Sequence, residues 1–173
     1  MDEFVEKMSA LEAPSIPQLT TLASGAIKEW RTNGRLHRDG APSVMEYDGS
    51  CWWYKNGVFH RDDGPSMVDF DGYLSWQQNG VFHRIDGPAV VDAENGYCAW
   101  YVGGVRHRND GPAVIRADGT LEWWMNGKRH RRHGPAVIYP DGKVEYWRSG
   151  KRAKPLPPLK VNYPALKIGA CER

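Results

Sequence analysis

The sequence predicts an all-β fold, an antiparallel meander assembled as a solenoid-like array of hairpin repeats, and three observations carry that expectation. The first is a tandem period: turn glycines recur at Gly34, Gly57, Gly80, Gly104, Gly127 and Gly150, in steps of 23, 23, 24, 23 and 23 residues. The prolines Pro42, Pro65, Pro88, Pro112 and Pro135 keep the same beat, as do His37, His60, His83, His107 and His130. A period of this length marks an array in which each unit buries its face only against its neighbours. The second is turn chemistry. Each unit carries an Asn-Gly signal, as at Asn56-Gly57 and Asn126-Gly127, and an Asp-Gly signal, as at Asp71-Gly72 and Asp118-Gly119; both suit the positive φ of two-residue type I′ hairpins. The third is that the segments between these turns are rich in Trp, Tyr, Val and Ile.

Three regions follow in order. Residues 1–26 form an N-terminal cap segment, where Phe4, Val5, Met8 and Leu11 fall at helical spacing and predict a short amphipathic helix before Pro14. Residues 27–152 hold five repeats and part of a sixth. Residues 153–173 form a Pro- and Lys-rich segment in which Lys154-Pro155-Leu156-Pro157-Pro158 reads as extended polyproline chain, either a tail or a cover for the last strand. Within the array, the stretch between His-Arg and Pro bends the strand, because proline cannot donate to a ladder. The longer third step, from Gly80 to Gly104, has its extra residue near Glu94-Asn95 and marks a bulge or a longer turn.

A two-residue Asn-Gly turn places the Trp four before Gly opposite the His three after it, as in Trp53 and His60. Period-two alternation then sorts the side chains. One face gathers Trp30, Trp53, Trp76, Trp100, Trp123 and Tyr146 with Leu74, Leu121, Val58, Val81, Val105, Val144, Val44, Met67, Val114 and Val137, and is the expected core. The opposite face pairs Tyr54 with Phe59, Gln77 with Phe82, Tyr101 with Arg106, Trp124 with Arg129 and Trp147 with Arg152. One position further along, Glu29 is expected to meet Arg38, and Glu122 to meet Arg131.

The net charge of +2 does not by itself call for nucleic acid or an anionic membrane. The first residues carry acids where a secretory signal carries bases, and no window has the ~20 apolar residues of a membrane helix. A cytoplasmic location is expected, or the host cytoplasm or nucleus for a viral protein. Cys51 and Cys98 sit two repeats apart, about 19 Å at ~4.8 Å per strand, beyond the ~7 Å limit for a bridge. Three free thiols are expected, counting Cys171 in the tail.

Asn126-Gly127-Lys128-Arg129-His130, followed by Gly134-Pro135-Ala136-Val137 and Asp141-Gly142, resembles the MORN-type repeats, in the variant W-x-x-N-G-x-x-H-R-x-D-G-P-A-V form found in bacterial, phage and large-virus proteins. The resemblance implies an elongated, twisted sheet of stacked hairpins that acts as an interaction scaffold without catalysis. For a phage or virus it implies a partner such as a host factor or defence component, and an inhibitory role. In this chain Arg and Asp stand where classical units place glycines, and a membrane is not an expected partner.

Candidate sites are weighed against this frame. Equivalent histidines lie two strands, about 10 Å, apart, too far to share one metal with ~2 Å bonds, so each is expected to pack on Trp and bond to the bend. The ladder Arg38, Arg61, Arg84, Arg108 and Arg131 is open to two readings, phosphate binding or pairing with Asp63, Asp86 and Asp110 two residues on. No catalytic triad, Cys-x-x-Cys or phosphate loop is present, so neither catalytic residues nor a cofactor is expected. The expected partner surface comprises Tyr54, Phe59, Phe82, Tyr101, Arg106, Trp124, Arg129, Arg131, Arg132, Trp147 and Arg152, since aromatic and Arg side chains anchor interfaces. A protein is the expected partner. The alternative is nucleic acid, stacked on those aromatics and paired with those arginines, and self-association through sheet edges is a further expectation.

Overall fold

The computed structural model describes residues 18–21 and 27–156. The helix expected before Pro14 and the polyproline segment from Pro157 onward lie outside the described residues. The described chain holds 23 strands, all pairings antiparallel, and no helix. None of it forms a helix long and apolar enough to cross a membrane.

The array is built from two ladders joined at the tryptophans. In the first, strand pairs such as Val90–Asp92 with Tyr97–Ala99 and Val114–Ile115 with Leu121–Glu122 add in sequence order to one 13-stranded sheet. In the second, the five turns from Asn56-Gly57 to Ser149-Gly150 each make a separate two-stranded hairpin, for example Tyr54–Lys55 with Val58–Phe59, whereas the Asn33-Gly34 hairpin stays joined to the sheet. The hairpins stack through paired backbone bonds: Gly80 N–H donates to Phe59 O at 2.8 Å and Arg61 N–H to Gln77 O at 3.1 Å, and Gly104 N–H donates to Phe82 O at 2.9 Å and Arg84 N–H to Tyr101 O at 3.0 Å. Trp76 links the ladders, donating its N–H to Ala89 O at 2.8 Å in the sheet while its own carbonyl accepts from His83 N–H at 3.0 Å in the hairpin.

The two turn types separate by backbone conformation. Asn79 and Gly80 both adopt positive φ, 51° and 78°, as type I′ requires. At the Asp-Gly turns only the glycine does. Asp69 N–H donates to Tyr73 O at 2.9 Å and Gly72 N–H to Asp69 O at 3.0 Å, which closes a three-residue loop with a left-handed glycine instead of the expected two-residue turn. The Asp71 carboxylate accepts Tyr73 N–H at 3.1 Å, and this local bond explains why Asp holds the position. The longer third step is a longer turn: Asp92 pairs with Tyr97, which leaves Ala93, Glu94, Asn95 and Gly96 in the loop.

The core departs from the expected face. Val44, Val114 and Val137 are buried as expected, but Val58, Val81 and Val105 are 45%, 45% and 44% exposed, and Val144 is 44% exposed. Instead, Phe82, Tyr101 and Trp124, assigned to the opposite face, pack on the buried cluster Val90, Ala99 and Val114. The strand breaks at Trp76, Trp100 and Trp123, so side-chain parity does not carry from sheet to hairpin. The hairpin turns its aromatic face onto the sheet. Ser43, Ser66, Ala89, Ala113 and Ala136, each after the bend proline, are fully buried at the junction, where only small side chains fit.

Cys51 is a free thiol that burial and the nearby Asp48 charge push up from its ordinary pKa. Cys98 is fully buried and disulfide-bonded, which corrects the expectation of three free thiols. The ~4.8 Å strand spacing excludes only a Cys51–Cys98 bridge.

Candidate partner-binding surface

Each bend encloses its arginine. The Arg84 guanidinium lies 4.0 Å over the Trp76 ring, its Nε donates to Asp86 Oδ1 at 3.0 Å, and its Nη1 donates to Pro88 O at 3.3 Å. A Cβ on Gly87 would come within 2.8 Å of the Arg84 Cζ, so the glycine is the other wall of the stack. The bends of Arg61 and Arg108 repeat this set of partners. One arrangement therefore accounts for W, R, D, G and P of the motif. These arginines hold the carboxyls of Asp63, Asp86 and Asp110 below their ordinary range, chiefly through the hydrogen bond, and of the two readings of the Arg ladder these pairs match the structural one.

The histidines bond to the bend as expected, but Arg is the side chain that stacks on Trp, and the rings also reach the next turn. His60 Nδ1 accepts Asn79 N–H at 3.2 Å, and His107 Nδ1 accepts Asn126 N–H at 3.2 Å. Each ring thus ties one bend to the turn of the following repeat. On the other side of the ring, Nε2 faces Asp62 at 3.2 Å in His60 and Asn109 at 3.1 Å in His107, both in the bend. Among the described residues no group of three or more His, Cys, Asp or Glu could hold a metal.

Most of the expected partner residues form one inner column between hairpins and sheet. The rings of Tyr54 and Phe59 lie 4.1 Å apart, and those of Phe82 and Tyr101 lie 5.2 Å apart. Arg106 Nε donates to Tyr101 Oη at 3.1 Å, and its guanidinium sits 5.1 Å from the Trp124 ring. Arg129 lies 5.3 Å from Trp124 and 5.5 Å from Trp147. Arg152 donates to Glu145 at 2.9 Å, and Trp147 Nε1 donates to the same carboxylate at 2.7 Å. Arg131 stands apart in its bend, 3.9 Å over Trp123, and Arg132 is exposed beside it.

Glu122 was assigned to Arg131, but it belongs to this column. It is 1% exposed and accepts from Arg116 Nε at 2.6 Å, Trp124 Nε1 at 2.9 Å and Arg129 Nε at 3.2 Å. Burial pushes its pKa up, and the hydrogen bonds and charges of Arg116, Arg129 and Trp124 more than offset that, holding it below the ordinary glutamate value. Glu29 likewise pairs with Arg31, at 2.7 Å, and not with Arg38.

What the hairpins present outward is the alternate set. Lys55 faces Val58, Gln78 faces Val81, Val102 faces Val105, Met125 faces Lys128 and Arg148 faces Lys151. The signal was present in the sequence as the alternation Tyr101, Val102 and Val105, Arg106, once the inward side is known. Two surface grooves also open between successive bends, about 220 Å³ at Arg38, Trp53 and His60 and about 620 Å³ at Ile85, Trp100 and His107; the Arg61 and Arg108 guanidiniums along them are already bonded to Asp63 and Asp110. No protein-family model matches the chain, and no curated protein matches it.

Proposed function

We propose that this chain is a non-enzymatic scaffold that binds a protein partner along the outer face of its Asn-Gly hairpins. The observation that carries this reading is the uncovered row Val58, Val81 and Val105, with Val102 beside it, repeated once per unit on a backbone that the Arg bends and His ties make regular. Contiguous exposed apolar side chains on a charged chain are a mark of contact surfaces. The resemblance to MORN-type repeats supports a scaffold role, and a host factor or defence component of the cytoplasm is the partner class it favours if the chain is viral.

The nucleic-acid alternative draws less support. Its stacking platform was the row of Tyr54, Phe82, Tyr101 and Trp124, and those rings are engaged on each other, on Arg106 and on the sheet. Base stacking requires an open ring face.

The test compares the chain with a Val81→Glu, Val105→Glu variant as bait in native extract. The partner retained by the parent is lost by the variant while its far-UV spectrum is unchanged. Retention of every partner by the variant would refute the outer face as the contact surface.

A further inference from the structure

The six hairpin tips, residues 32–35, 55–58, 78–81, 102–105, 125–128 and 148–151, contain no Asp or Glu, and they carry the bases Arg35, Lys55, Lys128, Arg148 and Lys151. The opposite turn row is net acidic: Glu46, Asp48, Asp69, Asp71, Asp92 and Glu94 flank its first three loops, and the last two balance Asp118 with Arg116 and Asp141 with Lys143. Charge is therefore segregated across the array and not merely graded along it. Elsewhere arginines are neutralised at short range, as Arg61 is by Asp63 at 2.7 Å and Arg116 by Glu122 at 2.6 Å. None of the five tip bases makes an ion pair among the described residues, and the Arg148 Nε is buried with no hydrogen-bond partner.

Spacing adds a second constraint. Stacked hairpins repeat every two strands, about 10 Å, while an extended chain advances about 3.3 Å per residue. A segment lying along the row thus meets one hairpin every third residue. Its successive contacts are Val58, Val81 and Val105, then Lys128 and Lys151. A polyproline II conformation suits this well, because it presents the same side at every third residue, about 9.3 Å.

We propose that the ligand of this face is an acidic polypeptide segment bound in extended form, with apolar residues three apart over the valines and carboxylates over Lys128, Arg148 and Lys151. This rests on the scaffold reading above and adds the partner's chemistry to it. Apolar contacts in the middle of the row favour a peptide over a nucleic acid, whose backbone would leave the valines uncovered. A second copy's acidic row offers tight turns of three or four residues, too short to run along several hairpins.

The test uses a fluorescent synthetic peptide of about thirteen residues, leucine at three positions three apart followed by glutamates, in both sequence directions. Anisotropy at ~50 mM salt is expected to show one direction binding, with affinity falling at least about tenfold at ~200 mM. Lys128→Glu with Lys151→Glu weakens binding at least about tenfold, and moving the leucines to a spacing of two weakens it as well. Thermal melts confirm that the variants fold. The proposal is overturned if neither direction binds, if charge reversal leaves affinity unchanged, if a single-stranded oligonucleotide binds more tightly, or if sedimentation shows that the face is occupied by a second copy. A natural partner that needs Val81 and Val105 but ignores Lys128 and Lys151 would sink the acidic ligand and leave the scaffold standing; a partner indifferent to all four would sink both.

Discussion

The interior of the second and third repeats and that of the fifth and sixth share one backbone and differ in chemistry. In the former, Trp52 and Ser75 precede the tryptophan, and the hairpins supply aromatic contacts, Tyr54 on Phe59 and Phe82 on Tyr101 of the following repeat. In the latter, Glu122 and Glu145 take that place, and the hairpins supply Arg129 and Arg152. The register is the same in both, Tyr54 opposite Phe59 and Trp124 opposite Arg129. Turn geometry and the bend therefore set the fold, and the column between the ladders accepts either solution. The fourth repeat mixes them, with Ala99 before the tryptophan and Arg106 bonded to Tyr101 in place of a carboxylate.

Breaking one member of the ionic solution gives the largest expected effect. Glu122→Ala leaves Arg116 and Arg129 facing an empty site and should cost about 3 kcal/mol, at the low end for a broken buried pair because both arginines retain solvent contact. Adding Arg129→Phe imports the apolar solution and should recover much of that loss. Denaturant unfolding of the single and double variants measures both, and a double variant no better than the single one would contradict the interchange. On the aromatic side, Phe59→Ala removes a half-buried ring and should cost about 2 kcal/mol, below the range for fully buried Phe.

Acid sharpens the same contrast by a smaller margin. Because the folded pKa of Glu122 is lowered, its contribution is complete above the unfolded value of about 4.3 and is lost as pH falls through the folded value. Glu122→Gln should flatten that part of the pH–stability curve, whereas Phe59→Ala should shift the curve without changing its shape. Equal acid sensitivity in Glu122→Gln and the parent would show that the buried carboxylate is not its source.

The parts legible in the sequence were those governed by local chemistry. Asn-Gly tips, cross-strand partners within each hairpin and the pairing of Arg61, Arg84 and Arg108 with Asp two residues on all follow from spacing of a few residues. What escaped depends on how two ladders meet. Alternation assigns faces only along an unbroken strand, and the break at each tryptophan reversed the assignment of Val81 and Phe82 together. For the same reason Glu122 was matched with Arg131 across a strand pair when its partner Arg129 lies across the interior, and the tie from each His ring to the next turn was missed although its backbone does pair with the expected Trp.

The claim on which the site depends is that Val81 faces solvent while Phe82 faces the sheet. Single cysteines introduced at these adjacent positions, in a Cys51→Ser background, report it through their rates of maleimide labelling in the folded protein. The account predicts that Val81→Cys reacts at least about tenfold faster than Phe82→Cys, since thiol reactivity follows exposure. Equal rates, or faster labelling at position 82, would contradict it.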